Sequence, residues 1–182
     1  QLNIGIIGAG MIGRLVIQML KNYHVKVIAC DPFLSQQQAA ELGVEKCSLE
    51  ELFERAFVIS NHTANNKQTK GMLRYAHFSC MRENAVFINT GRGAQVVEDD
   101  LVKVLLERPD LTAVLDVTDP EPSPADHAFY ALPNCILTPH IAGSIGNEVW
   151  RMSAYMADEF ARYQKGEPAQ FEVTESMLAT MA

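Results

Sequence analysis

The chain has 182 residues, 48% of them hydrophobic and 20% charged, with a formal net charge of −7. That length suits one compact domain with a full core, and the acidic balance excludes a nucleic-acid ligand, which needs Lys and Arg clustered on one face. No apolar run approaches the ~20 residues of a membrane span, and no basic segment leads an apolar one at the start, so no membrane partner is expected.

Asn3 to Gly8 reads as a short apolar strand. Met11 to Asn22 then places Ile12, Leu15, Val16, Met19 and Leu20 on one helical face. Val25 to Cys30 is a second buried strand, which closes a β-α-β unit with an expected right-handed crossover. Helical stretches at Ser35 to Leu42, Ser48 to Glu54, Thr69 to Cys80 and Glu98 to Glu107 alternate with apolar runs at Phe57 to Ser60, Ala85 to Asn89, Thr112 to Leu115 and Cys135 to Leu137. Alternation of this kind predicts an α/β fold, a doubly wound parallel sheet of Rossmann type with helices on both faces. Two loops break the rhythm: the polar Asn61 to Lys67, and Asp119-Pro-Glu-Pro-Ser-Pro124, too rich in proline for helix or central strand. Loops after strands usually face the ligand. A last helix, about Ile145 to Gln164, carries Ile145, Val149, Met152, Met156, Phe160 and Tyr163 at steps of three and four, and that stripe needs a partner. Residues 1–166 are read as the nucleotide-binding domain and 167–182 as a tail. Cys30, Cys47, Cys80 and Cys135 stand far apart with no Cys-x-x-Cys pair, the pattern of reduced thiols in a cytoplasmic protein rather than of a disulfide frame or metal site.

Gly8-Ala9-Gly10-Met11-Ile12-Gly13 follows the first strand and opens the first helix. Gly8 permits the tight turn, Gly10 lets backbone approach a pyrophosphate, and Gly13 lets the helix pack close to the strand. Asp31 stands at the end of the second strand, eighteen residues after Gly13, where an acid binds ribose hydroxyls. A carboxylate there repels the 2′-phosphate of NADP, and no arginine adjoins it in sequence, so NAD is the expected cofactor. The bland reading is a helix-packing glycine cluster with Asp31 as a turn residue before Pro32.

Three further segments follow strands: Ile88-Asn-Thr-Gly-Arg-Gly93, Leu115-Asp-Val-Thr-Asp-Pro-Glu-Pro122 and Leu137-Thr-Pro-His-Ile-Ala-Gly143. With the fingerprint and Asp31-Pro32, they resemble the D-isomer-specific 2-hydroxyacid dehydrogenases, the family of phosphoglycerate dehydrogenase, glyoxylate and hydroxypyruvate reductases, and D-lactate dehydrogenase. The resemblance spans nearly the whole chain and lays the family's arginine, glutamate and histidine on Arg92, Glu121 and His140. It implies hydride transfer between NAD(H) and a small 2-hydroxy or 2-oxo acid, with Met11, Ile12, Thr63, Asn66, Thr90, Gly91, Asp116 and Gly143 joining the three glycines and Asp31 around the cofactor. The residues suit that chemistry. An imidazole titrating near neutrality can move the proton, a neighbouring carboxylate favours its charged form, and a guanidinium fork pairs with a substrate carboxylate as Lys cannot. Taken singly, His140 after a proline reads as a turn residue, Arg92 between glycines as a helix cap, and Glu121 among prolines as solvated. His24, His77 and His127 match no motif and read as surface or packing residues.

The sequence departs from the family at Ala64 and Asn66, which replace a proline and a threonine after His62, and at Thr118, where many members have an aromatic residue. The fingerprint opens within eight residues of Gln1, so the family's second, substrate-gripping domain is expected to be missing, and Gln1 is read as a boundary left by processing or excision. The chain alone is then expected to bind NAD but to turn over poorly. The resemblance also implies a homodimer formed through nucleotide domains, and the tail would return towards the absent domain. An alternative is an NAD(H)-sensing binding protein, as in the related C-terminal-binding corepressors. The particular 2-hydroxy acid is left open.

Overall fold

The first two apolar runs form strands β1 (Leu2–Ile7) and β2 (Val25–Cys30), paired in parallel so that Leu2 faces Val25 and Ile7 faces Cys30, with helix α1 (Met11–Leu20) between them. In the computed structural model, which describes residues 1–179, the pattern repeats through α2 (Gln36–Leu42), β3 (Glu45–Lys46), α3 (Leu49–Arg55), β4 (Val58–Asn61), α4 (Tyr75–Ser79), β5 (Val86–Asn89), α5 (Glu98–Glu107), β6 (Thr112–Leu115), β7 (Cys135–Leu137) and α6 (Asn147–Lys165). All seven strands are parallel, in the order β3-β2-β1-β4-β5-β6-β7. The doubly wound sheet expected from the alternation is therefore present. Its register sets Cys30, Ile7, Asn61, Asn89, Leu115 and Leu137 in one row across six strands. Each loop of interest starts one residue beyond that row.

Successive strand residues point to opposite faces, and two cores follow. Ile7 and Ile28 join the larger, with Phe53, Phe78, Phe87, Leu73 and Val104; Ile6, Val27 and Ala29 join the smaller, with Ile17, Leu34 and Ala39. Phe87 meets Phe78 edge-on at 5.1 Å and Phe53 at 6.2 Å. Ser35 and Ser48 begin α2 and α3 with reciprocal capping boxes, which is why these serines sit just outside helices that their periodicity had seemed to include.

Three expectations are corrected. Helix does not run from Thr69 to Cys80: Gly71 takes φ +60°, the Thr69 hydroxyl binds the Ala64 carbonyl, and only Tyr75–Ser79 is α-helical. Strand β3 was missed, because two polar residues carry no periodicity and pair with β2 only by register. The first helix ends at Leu20 and buries Gly13 and Ile17, with Val16 and Leu20 packed beside them, whereas Ile12, Leu15 and Met19 face outwards. Helix α6 forms close to its expected span but buries none of its residues, and the tail folds back on it where the Gln170 and Phe171 N–H groups donate to Glu159. Residues 180–182 of the expected tail lie outside the described residues.

Truncating Phe87 removes a ring that both neighbouring phenylalanines contact. Phe87→Ala is expected to lower the free energy of unfolding by about 3–5 kcal/mol, measured by urea denaturation; a loss below about 1 kcal/mol would place the packing centre elsewhere.

Candidate active site

The chain leaves β1 through Gly8, whose φ of +88° and whose neighbours, the His62 carbonyl and Thr63 nitrogen 2.9 Å from any added Cβ, exclude a side chain. Gly13 closes the turn from the helix side, since a Cβ there would lie 2.0 Å from the Gly8 oxygen. Around the Cβ position of Gly10 there is open space. Helix α1 lacks the side-chain cap that α2 and α3 have, and it has no acid in its first turn, so its leading N–H groups have no protein acceptor from either source. That end fits a pyrophosphate, with Met11 and Ile12 exposed beside it. Asp31 braces the same turn: one carboxylate oxygen accepts from Ala9 N and the other from Phe33 N, both at 2.7 Å. Each oxygen keeps a lone pair for a ribose hydroxyl. Arg14 Nε donates to the Ala9 carbonyl at 2.9 Å, which brings a cation to the fingerprint that the sequence reading had not placed.

Beyond β4 and β5 the site is held by three buried amides. Asn61 Nδ2 donates to Asn89 Oδ1 and Gln95 Oε1, while its Oδ1 accepts from the Thr63 amide and hydroxyl. Gln95 Nε2 donates to the Thr63 and Ala64 carbonyls, and Gln95 Oε1 also accepts from Arg92 N. Asn89 accepts from Gly91 N and donates to the Arg92 carbonyl. Arg92 itself is exposed, its guanidinium held by the Gly91 carbonyl at 2.7 Å, and no hydrogen bond among the described residues joins it to Glu121 or His140. Asn66, expected at the cofactor, spends its carbonyl oxygen on the N–H groups of Gln68 and Thr69. Thr90 is half-buried next to Gly91, and Gly143 has open space around it.

The third group stands after β6 and β7. His140 Nδ1 lies 2.6 Å from Glu121 Oε1, both side chains partly exposed, and His140 adopts a left-handed φ of +52°, a conformation uncommon outside glycine and asparagine. Asp116 organises the turn beneath: its carboxylate accepts from the Thr138 hydroxyl and from the backbone N–H groups of Ile141 and Ala142. Burial opposes its ionisation, but those bonds and the nearby His140 outweigh it and hold the carboxyl below its ordinary range. Glu98 ties both ends of the proline-rich loop, accepting from Asp119 N at 2.8 Å and facing His127 Nε2 at 3.3 Å. Of the two readings offered for His127, packing holds: its ring lies 4.5 Å from that of Phe129 and it braces the loop through Glu98. A cavity of about 490 Å³ opens beside the pair, lined by Thr118, Glu121, Pro122, Tyr130, Leu137 and His140 and by no Lys or Arg. A carboxylate seated in this cavity would need its cation from another loop.

Sequence reasoning named the pair and the fingerprint but missed Asn61, Gln95, Glu98 and Thr138. Asn61 and Asn89 carried the one available signal, an amide at the last position of an apolar strand.

The family described as D-isomer specific 2-hydroxyacid dehydrogenase, NAD binding domain, matches residues 1–142. The chain is 34% identical over 174 residues to the human glyoxylate reductase/hydroxypyruvate reductase, covering 95% of this chain and 53% of that protein. Among solved structures it is similar to D-lactate dehydrogenase with NAD+ from Lactobacillus jensenii (TM-score 0.83, 29% identity, 96% of this chain and 56% of that one). It is also similar to the NADPH-dependent glyoxylate/hydroxypyruvate reductase of Sinorhizobium meliloti in complex with NADP and sulfate (TM-score 0.80, 28% identity, 96% and 56%). The chain spans 31–53% of the length of curated relatives it matches.

His62, against the Gly8 turn, pairs Nε2 with the Ser60 hydroxyl at 2.9 Å, and burial pushes its imidazole below the ordinary range. The unfolded chain then binds more protons than the folded one between that lowered value and about 6.5. Stability is expected to be level above this window and to fall as pH drops through it. His77 shifts the same way, chiefly by burial, so His62→Gln should flatten but not abolish the slope of melting temperature against pH. An unchanged slope would mean that His62 binds as many protons in the fold as in the unfolded chain.

Proposed function

The chain belongs to the D-isomer-specific 2-hydroxyacid dehydrogenase family as its NAD-binding domain, and from that premise we propose that it serves the interconversion of a small D-2-hydroxy acid and its 2-oxo acid. The observation that carries this reading is the 2.6 Å contact of His140 with Glu121 on the same sheet edge as the uncapped α1 N-terminus. NAD, when bound, supplies or accepts the hydride. His140 moves the proton: with Nδ1–H donated to Glu121, its Nε2 can give a proton to a carbonyl oxygen or take one from a hydroxyl. Glu121 fixes the orientation of the ring, so it acts on the reaction through His140. Asp116 holds the Thr138–Ala142 turn and with it the left-handed backbone that presents His140. Arg92 pairs with the substrate carboxylate, its planar fork matching two oxygens at once.

Asp31 sets the preference for NAD over NADP, since a second negative charge at the ribose would face its carboxylate. Met11, Ile12, Thr63, Thr90, Gly91 and Gly143 line the cofactor. The 182-residue chain on its own binds NAD and turns over slowly. It associates as a homodimer, a reading supported by the exposed Leu15 and Met19 on α1 and the exposed stripe on α6. Four free cysteines support a reducing, cytoplasmic setting.

Calorimetric titration with NADH is expected to show micromolar binding by the parent chain and at least a tenfold loss with Asp31→Arg, about 1.4 kcal/mol. His140→Gln should bind NADH within about twofold of the parent yet reduce 2-oxo acids on the order of 10²–10⁴-fold more slowly. A His140 variant with undiminished turnover would remove the proposed proton carrier.

A further inference from the structure

Gln95, Asn61 and Asn89 are at most 1% exposed, and their amides form one network between two loops that the proposed function assigns to different ligands. All four hydrogen-bonding positions of the Gln95 amide are used. Its nitrogen donates to the Thr63 and Ala64 carbonyls at 2.7 and 3.0 Å, and its oxygen accepts from Arg92 N at 3.0 Å and from Asn61 Nδ2. The Asn61 amide is equally spent, on Asn89, Gln95 and twice on Thr63. An added Cβ at Gly91 would lie 2.6 Å from Gln95 Oε1 and 2.9 Å from Asn61 Nδ2, so the loop carrying Arg92 is moulded on the network.

Core packing alone does not require amides here. The amides serve loop backbone groups that apolar side chains of the same size would leave without partners, and a saturated buried network also fixes positions and orientations. The bonds also have a direction: one end of a single side chain holds the Thr63 segment, and the other holds the backbone of Arg92. We propose that Gln95 is a positioning residue that locks the cofactor-facing Thr63–Asn66 segment to the Arg92 loop, so that NAD(H) and the acid substrate bind cooperatively. The proposal rests on the dehydrogenase reading above. A ligand that shifts either loop acts on the other through Gln95, so whichever ligand binds first has already met part of the cost of seating the second. By reciprocity, each strengthens the other by the same factor.

The test uses the full chain with NADH and oxamate, a non-reacting 2-oxo acid analogue, titrated separately and together by calorimetry. In the parent, NADH should tighten oxamate binding by about tenfold, within the usual range of coupling between sites. Gln95→Leu should bring that factor within about twofold of unity. A second variant, Gln95→Glu, separates positioning from stability: it keeps the bonds from Arg92 N and Asn61 Nδ2 but cannot make both donations to the Thr63 and Ala64 carbonyls, so the Arg92 loop stays held while the bridge, and with it the coupling, is weakened. Coupling that persists in either folded variant, or a parent that binds both ligands without coupling, overturns the positioning role. A parent that does not bind NADH overturns the dehydrogenase reading itself, and the two failures are told apart by the NADH titration alone.

Discussion

Parallel pairing of the strands is the constraint from which the site follows. Because every strand runs the same way and the register aligns Ile7, Asn61, Asn89, Leu115 and Leu137 in one row, the residues that follow them emerge along a single edge. Gly8, His62, Thr90, Asp116 and Thr138 are therefore neighbours in space although 130 residues of chain separate the first from the last. Parallel sheets also need both faces covered, and the two cores meet that need on opposite sides of the same strands. The packing that stabilises the domain and the geometry that collects the site are one arrangement.

At that edge the backbone loses its ladder partners, and the sequence replaces them with side chains. Asp31 accepts from Ala9 and Phe33, Asn89 from Gly91, and Asp116 from Ile141 and Ala142. Each of these residues is the last of its strand or the first after it. A buried N–H without a partner costs about 1–3 kcal/mol, so the first turn of each loop is pinned. Residues further out, such as Arg92 and His140, stay exposed on a rigid base. Catalytic geometry tolerates little misplacement, and here it depends on groups that a ligand need never touch.

Much of this was legible in the sequence, for reasons that differ by element. Strands β1, β2, β5, β6 and β7 are apolar runs between turn residues, and the fingerprint glycines and Asp31 stand at spacings that only a β-α-β turn requires. The His140–Glu121 contact could be expected because two separate motifs each placed one partner after a strand. What escaped has equally physical causes. The Thr69–Cys80 segment has helical composition, but Gly71 and the Thr69 hydroxyl commit it to a turn. The outward face of α1 was misjudged because Ile12, Leu15 and Met19 are as apolar as the residues that do pack, and periodicity gives a stripe without saying which neighbour covers it. Gln95 and Glu98 gave no signal at all. A lone amide or acid in a loop is ordinary until folding brings it against another strand's loop.

The same local logic resolves an apparent conflict of charge. A chain of net charge −7 is read here as binding a dinucleotide and an organic acid, both anions. Charges more than about 8 Å from the ligand are largely screened at physiological ionic strength, so only the nearest groups decide. Of these, Asp31 and Asp116 turn their carboxylates onto backbone N–H donors, and Glu121 turns its own onto His140. The uncapped end of α1, worth roughly half a positive charge, is left facing outwards together with the guanidinium of Arg92. The acids of the site are directed into the protein and its positive groups towards the ligand. An acidic domain can in this way present a locally attractive surface to anions.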